Sequence, residues 1–231
     1  MITLYQFSTS PFTEKVRRAL NYRSIPFDVH EVVRAKVPEG EYTNVSPTGK
    51  FPAIVHDQEA VWDSTDIIHF LEENFEGRSL IPSDPREAAL AHAIEEWADE
   101  SLYFYEMTMR LSWEHNVDAA MDEFAASMPG VPKETLKPLI IENVTKLAQA
   151  QGLGRKPREQ IVSDVERHLT ALDDMLEGRD WLVGDSISYA DLAVIAQLNA
   201  LLYAEEARKL FETTSNIAAW IARVDAAAPK T

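Results

Sequence analysis

The hydrophobic pattern of the chain changes at residues 81–90, IPSDPREAAL, where two prolines interrupt it. Before this segment, short runs of β-branched and aromatic residues alternate with apolar residues at helical spacing, whereas no convincing strand pattern follows it. Pro85 suits the first position of a helix, and the serine and aspartate before it are good capping residues. The sequence therefore predicts an α/β domain over residues 1–80 and an all-helical domain over residues 81–231.

The first domain is expected to be a compact α/β unit. Residues 2–7 and 26–33 have the composition and alternation of strands, and residues 51–64 predict two short strands around the turn HDQE. A second helix is predicted from Ile67. The first helix is predicted from Phe12, with its charged residues facing solvent: Glu14, Lys15, Arg17 and Arg18.

The second domain is predicted to contain helices alone. A long helix should end at about His115, and its segment EEWADE (95–100) is expected to be a solvated face. Residues 188–202 are apolar on nearly every side, which predicts the buried central helix of this domain. Two breaks in the helical pattern are expected, at 128–134 and at 150–159.

Composition excludes several classes of function. The chain has no cysteine, which excludes disulfides and thiol-based catalysis. A formal net charge of −16 argues against nucleic acid and anionic membrane surfaces as partners, since both require a basic surface. The six histidines lack metal-ligand spacing, so no metal site is expected. The sequence has neither a secretion signal nor a membrane-spanning run, and we therefore expect a cytoplasmic protein.

Three hydroxyl side chains crowd the start of the first helix. Ser8, Thr9 and Ser10 lie in the turn between the first strand and Pro11, which suits the first helical position. Ser10 is the natural N-cap, and the amide groups at such a helix start attract anions. Taken alone, this stretch is compatible with a simple helix cap.

Two further segments combine structural and chemical signals. Pro52, in SPTGKFPAIV (46–55), is either an edge-strand residue or a cis proline, and the backbone of Phe51 beside a cis proline can pair with an extended ligand. In VWDSTD, Asp63 and Ser64 come directly before a helix. They are either an ordinary cap or a clamp for the ammonium and carboxylate of an amino-acid group.

Together with a capping-box pattern in DSISYADLAV (185–194), these motifs resemble the glutathione S-transferase family. In that pattern Ser188 and Asp191 have the Ser-x-x-acid spacing, and Ile187 and Leu192 form the hydrophobic staple. The resemblance implies a thioredoxin-like N-terminal domain and an all-helical C-terminal domain. It also implies glutathione as cosubstrate, no further cofactor, an electrophilic small molecule in the interdomain cleft, and usually a homodimer.

The resemblance also assigns roles to individual residues. Ser10 is the catalytic residue that donates a hydrogen bond to the glutathione sulfur. Such a bond to a charged group contributes about 1.5–3 kcal/mol, which lowers a thiol pKa by about one to two. The implied glutathione-binding residues are Lys50, Phe51, Pro52, Asp63 and Ser64, with Lys36 as a weaker candidate.

This sequence departs from the family pattern at several positions. Asp63 replaces the more frequent Glu, and Phe51 is bulkier than the usual Val or Ile. Thr9 stands where other branches keep their catalytic serine, so Thr9 or Ser8 is an alternative partner for the sulfur. Phe7 at the strand end argues against a tyrosine-type enzyme, and the lack of cysteine excludes cysteine-type branches.

The second substrate and the reaction are left open by the sequence. In LYFYEMTMRLSW (102–113), the residues Tyr103, Met107 and Trp113 either belong to the interdomain core or form an apolar electrophile pocket. The leading hypothesis is a detoxification-type glutathione transferase. The alternatives are a glutathione-dependent isomerase or ether-cleaving lyase, and a non-catalytic binding module. The segment AQGLGRKPRE (150–159), which is similar to a segment of metaxin-like proteins, favours the binding module.

Overall fold

A computed structural model describes residues 1–128 and 130–231 of the chain. The first part contains one four-stranded mixed sheet with the order β2-β1-β3-β4. β1 runs parallel to β2 and antiparallel to β3, and β3 forms a hairpin with β4. Leu4 therefore lies opposite both Val29 and Ile54. The strands are β1 (Ile2–Gln6), β2 (Phe27–Glu31), β3 (Ala53–His56) and β4 (Glu59–Trp62).

Two helices, α1 (Pro11–Tyr22) and α2 (Ser64–Asn74), accompany this sheet. A parallel strand pair needs a crossover connection, and α1 supplies it between β1 and β2. Successive side chains of a strand point to opposite faces of the sheet, and here each face belongs to a different hydrophobic cluster. Ile2, Leu4 and Ile54 share a buried cluster with residues of both helices, whereas Tyr5, Phe7 and Ala53 belong to a smaller cluster around Phe51 and Tyr42.

The second part is helical, and the structure shows no strand in the described residues beyond 80. A π-helical turn, Ala98–Leu102, separates the first two of its helices. The helices are α3 (Pro85–Trp97), α4 (Tyr103–Leu111), α5 (Glu114–Val117), α6 (Met121–Ala126), α7 (Lys133–Gln151), α8 (Arg158–Met175), α9 (Tyr189–Leu201), α10 (Glu205–Phe211) and α11 (Ser215–Ala227). Short 3₁₀ turns occur at Arg34–Lys36, Asp118–Ala120 and Leu153–Arg155.

Helix α9 is the buried centre of the second part, as its sequence predicts. It packs against α1 of the first part and against α3, α4 and α11. The predicted capping box is also present: the Asp191 carboxylate accepts hydrogen bonds from Ser188 N at 2.8 Å and Ser188 Oγ at 3.0 Å. The same carboxylate accepts from Leu182 N at 3.0 Å and Trp220 Nε1 at 2.8 Å, so one buried acid joins α9 to a loop and to α11.

The predicted α/β and helical architecture is confirmed, and the chain boundary between the two domains stays a prediction. The long helix predicted to reach His115 ends at Leu111, and the π-helical turn interrupts it after Trp97. The break predicted at 128–134 separates α6 from α7, although residue 129 lies outside the described residues. No helix in the described part of the chain is long and apolar enough to cross a membrane.

Two predictions about charged residues are wrong. The sequence pattern predicts Lys15 and Arg18 on the solvent side of α1, but both are fully buried, because α1 packs against α9 and α2 and shares a core with the sheet. Arg18 bridges to the C-terminal segment, with Nη2 donating to Asp225 Oδ1 at 2.7 Å and Nη1 to Ala228 O at 2.7 Å. The segment 95–100 is not simply a solvated face either, because Glu95 and Asp99 are buried.

Candidate active site

A cavity of about 350 Å³ lies where the start of α2 meets α3 and the π-helical turn. Its lining contains five carboxylates and two histidines, and no lysine or arginine of the described residues lines it. Such a lining attracts a cationic group. The lining residues are Phe12, Asp63, Ser64, Thr65, Asp66, His69, His92, Glu96, Asp99 and Glu100.

The start of α2 supplies Asp63 and Ser64 to this cavity, so the structure brings these two predicted residues together. Asp63 is the N-cap, and its Oδ1 accepts a hydrogen bond from Thr65 N at 2.9 Å. Its φ of 75° lies in the left-handed region, which costs a non-glycine residue of order 1–3 kcal/mol. Ser64 is the first helical residue, and it is buried beside the cavity.

The buried ammonium of Lys15 holds this helix start in place. Lys15 Nζ donates to Ser64 Oγ and to Thr65 Oγ1, both at 3.1 Å. It also forms ion pairs with Asp99, at 2.7 Å from Oδ2, and with Glu95. One ammonium on α1 thus contacts two hydroxyls on α2 and two carboxylates from the second part of the chain. We call these five residues the Lys15 network.

The charges of the Lys15 network do not cancel. Burial lowers the pKa of Lys15, but the carboxylates of Asp99 and Glu95 raise it by more, so the ammonium is held protonated. Burial raises the pKa of Asp99 above its ordinary range in spite of Lys15. Two carboxylates facing one ammonium leave an excess of negative charge at the cavity wall, which favours a second cation there.

Asp99 lies within the π-helical turn and contacts Lys15 from there. The turn begins at Ala98, one residue before Asp99, and Gln197 Nε2 on α9 contacts the other Asp99 oxygen at 3.5 Å. π-Helical turns are rare, and they occur frequently at functional sites. Sequence reasoning missed Lys15, Glu95 and Asp99, because charged residues on an amphipathic helix are ordinarily assigned to solvent.

Ser10 has the predicted position at the start of α1 but does not cap it with its side chain. Its backbone is extended, its N–H donates to Phe7 O at 2.9 Å, and its O accepts from Glu14 N at 3.1 Å. Within the described residues the Ser10 side chain makes no capping hydrogen bond. Ser10 is half-buried, and because its hydroxyl is not used to cap the helix, it is available to a ligand.

The other two hydroxyl residues of this turn have different surroundings. Thr9 is buried, and its Oγ1 accepts a hydrogen bond from Arg34 Nη2 at 3.2 Å. The side chain of Ser8 is exposed, while its backbone N–H donates to Glu31 Oε1 at 2.8 Å. Sequence reasoning missed Arg34, which follows β2 in the chain and has no motif around it.

The predicted Phe51–Pro52 segment precedes β3. The Phe51–Pro52 bond is cis, and β3 lies inside the sheet, which excludes the edge-strand alternative for Pro52. The Phe51 side chain is buried, with its ring centroid 5.3 Å from that of Phe7. Strand pairing begins at Ala53, so the backbone of Phe51 lies outside the ladder. Lys50 is exposed, whereas Lys36 forms an ion pair with Glu41 at 2.8 Å.

The three residues predicted to form an electrophile pocket lie in different surroundings. The Tyr103 ring packs edge-on against Phe12 at 5.0 Å, and burial raises the Tyr103 pKa to about 12. Met107 and Trp113 are buried, at 3% and 4% exposure, in two separate hydrophobic clusters. Tyr103 packs against the cluster that contains Met107, whereas Trp113 belongs to the other cluster, so the structure brings two of the three residues together. Their role as a pocket stays a prediction.

A group of potential metal ligands was missed by sequence spacing. Ligand atoms of His92, Glu95 and Glu96 lie within 4.8 Å of one another at the cavity. Glu95 is already paired with Lys15, so a cation at this group would compete with the Lys15 network.

Removing the ammonium of Lys15 should destabilise the protein. In Lys15→Met, Glu95 and Asp99 remain buried without a cation, and we expect the free energy of unfolding to fall by about 3–5 kcal/mol. Urea denaturation followed by circular dichroism measures this loss.

The matched control for that prediction removes the whole charge set. Lys15→Met combined with Glu95→Gln and Asp99→Asn should recover part of the lost stability, because no unpaired charge remains buried. Unchanged stability in Lys15→Met alone would contradict the role assigned to the network.

Models of protein families match both parts of the chain. The model described as glutathione S-transferase, N-terminal domain, matches residues 4–79, and the model described as glutathione S-transferase, C-terminal domain, matches residues 142–229.

Individual proteins are similar over most of the chain. Protein LigF of Sphingobium sp. strain SYK-6 is 24% identical, covering 97% of this chain and 90% of LigF. The crystal structure of this β-etherase superimposes with a TM-score of 0.68 over 97% of this chain and 95% of LigF. FtsZ-localized protein A of Caulobacter vibrioides is 26% identical over 87% of this chain and 77% of its own.

A glutathione S-transferase of Methylobacillus flagellatus KT, solved with glutathione bound, is 24% identical to this chain. The similarity covers 99% of this chain and 100% of that structure, with a TM-score of 0.64. At this level of identity the structural similarity shows the fold alone.

Proposed function

We propose that this chain, which belongs to the glutathione S-transferase family, is a transferase that adds the thiolate of glutathione to an electrophilic small molecule. The observation that carries the proposal is the acidic cavity at the start of α2, together with the hydroxyl of Ser64 fixed by Lys15. We further propose a homodimer located in the cytoplasm, as the family resemblance implies.

The γ-glutamyl end of glutathione fits the charges of this cavity. Its ammonium would meet Asp63, Asp99 and Glu100, whose carboxylates line the cavity without a lysine or arginine among the described residues there. Ser64 Oγ accepts a hydrogen bond from Lys15 Nζ, so the hydroxyl proton of Ser64 is directed to another acceptor. The γ-glutamyl carboxylate supplies that acceptor at the N-terminus of α2, where helix amides favour an anion.

Ser10 is proposed to act on the sulfur. Its hydroxyl donates a hydrogen bond to the thiolate, and the thiol proton leaves to solvent. The thiolate then attacks an electrophilic carbon, so that a carbon–sulfur bond forms while the bond to the leaving group breaks. Because Ser10 only donates a hydrogen bond and does not attack the electrophile, it needs no neighbouring base. Thr9, whose hydroxyl oxygen already accepts from Arg34, and the exposed Ser8 are the alternative donors.

A second candidate reaction uses the same site. The similarity to β-etherase LigF, which extends over nearly the whole chain, favours a glutathione-dependent ether cleavage, in which the ether oxygen is the leaving group. The similarity to FtsZ-localized protein A favours instead a binding module. Turnover of glutathione would distinguish the two enzymatic functions, transfer and ether cleavage, from a binding module. The products would then distinguish transfer from ether cleavage.

Binding of glutathione should depend on Ser64. Trp62 is 38% exposed and adjoins Asp63, so its fluorescence should report occupancy in a titration with reduced glutathione. We expect Ser64→Ala to weaken binding about 10-fold or more, because a hydrogen bond to a carboxylate contributes about 1.5–3 kcal/mol. Ser186→Ala, at an exposed serine, is the control. Equal affinity in both variants would remove Ser64 from the site.

Turnover should depend on Ser10. Ser10→Ala is expected to bind glutathione normally but to react about 10-fold to 100-fold more slowly with 1-chloro-2,4-dinitrobenzene, since the thiolate loses one charge-assisted hydrogen bond. Stopped-flow or steady-state absorbance measures the rate. Thr9→Val is the matched comparison, and a loss of rate in Thr9→Val alone would transfer the role to Thr9.

A further inference from the structure

Arg34 lies beside the turn that precedes α1, where its guanidinium contacts Thr9. It lies in the 3₁₀ turn after β2, and its Cζ is 3.8 Å from the centroid of the Phe7 ring. The ring of Phe124, on α6 of the second part, lies 5.4 Å from the same atom. The guanidinium is therefore flanked by aromatic rings from both parts of the chain, which restrict its orientation.

The polar contacts of Arg34 are all neutral. Nη2 donates to Thr9 Oγ1 at 3.2 Å, and Nε donates to Ser127 Oγ at 3.3 Å. Among the described residues Arg34 forms no ion pair, whereas the nearby cations Lys36 and Arg110 pair with Glu41 and Glu106. Glu31, an acid in its surroundings, is already engaged by Ser8 N at 2.8 Å and Gln6 Nε2 at 3.0 Å.

The charges around Arg34 reinforce its demand for an anion. Burial lowers the pKa of Arg34, and the positive charge of Arg110 lowers it further, while Glu31 opposes both effects. Arg110 is itself compensated, with Nε 3.1 Å from Glu106 Oε2. Arg34 is thus a half-buried cation without an ion-pair partner among the described residues, in a protein whose formal net charge is −16.

The N–H groups of Arg34 that have no partner in the protein are suited to bind a carboxylate. A guanidinium carries five N–H groups in a plane. One N–H on Nε and one on Nη2 are used by Ser127 and Thr9, which leaves both protons of Nη1 and the second proton of Nη2. Adjacent N–H groups on Nη1 and Nη2 bind the two oxygens of a carboxylate in parallel.

We propose that Arg34 anchors the carboxylate of the second substrate, so that the electrophile is a carboxylate-bearing aromatic molecule. The proposal rests on the transferase function proposed above. Thr9, to which Arg34 is bonded, is the neighbour of Ser10 in the chain, so a carboxylate on Arg34 lies on the sulfur side of the cleft. The acidic cavity at α2 is proposed to hold the γ-glutamyl end of glutathione, and no arginine or lysine of the described residues lines it to pair with a second carboxylate. The Phe7 and Phe12 rings supply apolar surface for the aromatic part.

The test compares an acid with its neutral amide. With glutathione, 4-chloro-3,5-dinitrobenzoate and 4-chloro-3,5-dinitrobenzamide react alike: a carbon–sulfur bond forms, chloride leaves, and the thiol proton goes to solvent. We expect kcat/KM of the wild-type protein to favour the benzoate about 10-fold or more. Arg34→Gln should abolish this preference while leaving kcat/KM for the amide within about 3-fold. Arg34→Lys should retain part of it, because the charge remains without the planar fork.

A binding experiment makes the test independent of turnover. Unreactive 3,5-dinitrobenzoate and 3,5-dinitrobenzamide are titrated calorimetrically into protein saturated with S-methylglutathione. The same loss of preference is expected in Arg34→Gln, and Arg86→Gln, at an exposed arginine outside the cleft, should behave like the wild type. If this preference depends on Arg34 but no conjugate forms, the proposed function fails while the anchor stands.

Three results would overturn the anchor. The first is equal affinity of wild-type protein for the acid and the amide. The second is an unchanged preference in Arg34→Gln that is shown by circular dichroism to be folded. The third is a loss of glutathione affinity in Arg34→Gln comparable to its loss of benzoate affinity, which would assign Arg34 to the glutathione site.

Discussion

The buried ammonium of Lys15 is the interaction on which the junction of the two parts depends. It lies on α1, contacts the hydroxyls of Ser64 and Thr65 on α2, and pairs with Glu95 and Asp99 in the helical second part of the chain. Burying these charges is costly, and the cost is offset only when every partner is in place. The network therefore couples the position of α2, at whose start the ligand is proposed to bind, to the positions of α3 and the π-helical turn.

The Lys15 network and Arg34 give the two sides of the proposed site opposite charges. Two carboxylates share one ammonium, so the wall of the cavity is negative at the start of α2. On the side of Thr9 the charge is positive, because Arg34 meets only neutral acceptors among the described residues. Under the functions proposed here, the ammonium of glutathione occupies the negative end and the carboxylate of the electrophile the positive end. The sulfur would then react between them, beside Ser10.

Much of the fold could be predicted from the sequence because its signals are local. The β3–β4 hairpin follows from alternation around a polar turn, and the start of α1 follows from Ser10-Pro11. The capping box at Ser188 and the burial of α9 follow from spacing and apolar character. Each of these features depends on residues that are close together in the sequence, so a local sequence pattern is enough to predict it.

The charged part of the site could not be predicted in this way. Lys15 meets acids that are 80 and 84 residues away, and a helix pattern read alone assigns such a lysine to solvent. The π-helical turn that carries Asp99 has no reliable sequence signal, and Arg34 becomes noticeable only when Phe124 and Ser127 close around it. The aromatic-rich pattern of residues 102–113 does not show which side chains are core residues, and both Met107 and Trp113 are buried in hydrophobic clusters.

Under the proposed function, the carboxylates around Lys15 and Asp63 recognise the ammonium of the γ-glutamyl group. Isothermal titration with glutathione and with glutaryl-cysteinylglycine, which lacks only that amino group, tests it most directly, because the protein is left unchanged. We expect the analogue to bind at least about 10-fold more weakly than glutathione, and high salt to reduce this difference in affinity. Equal affinity for the two ligands would contradict it.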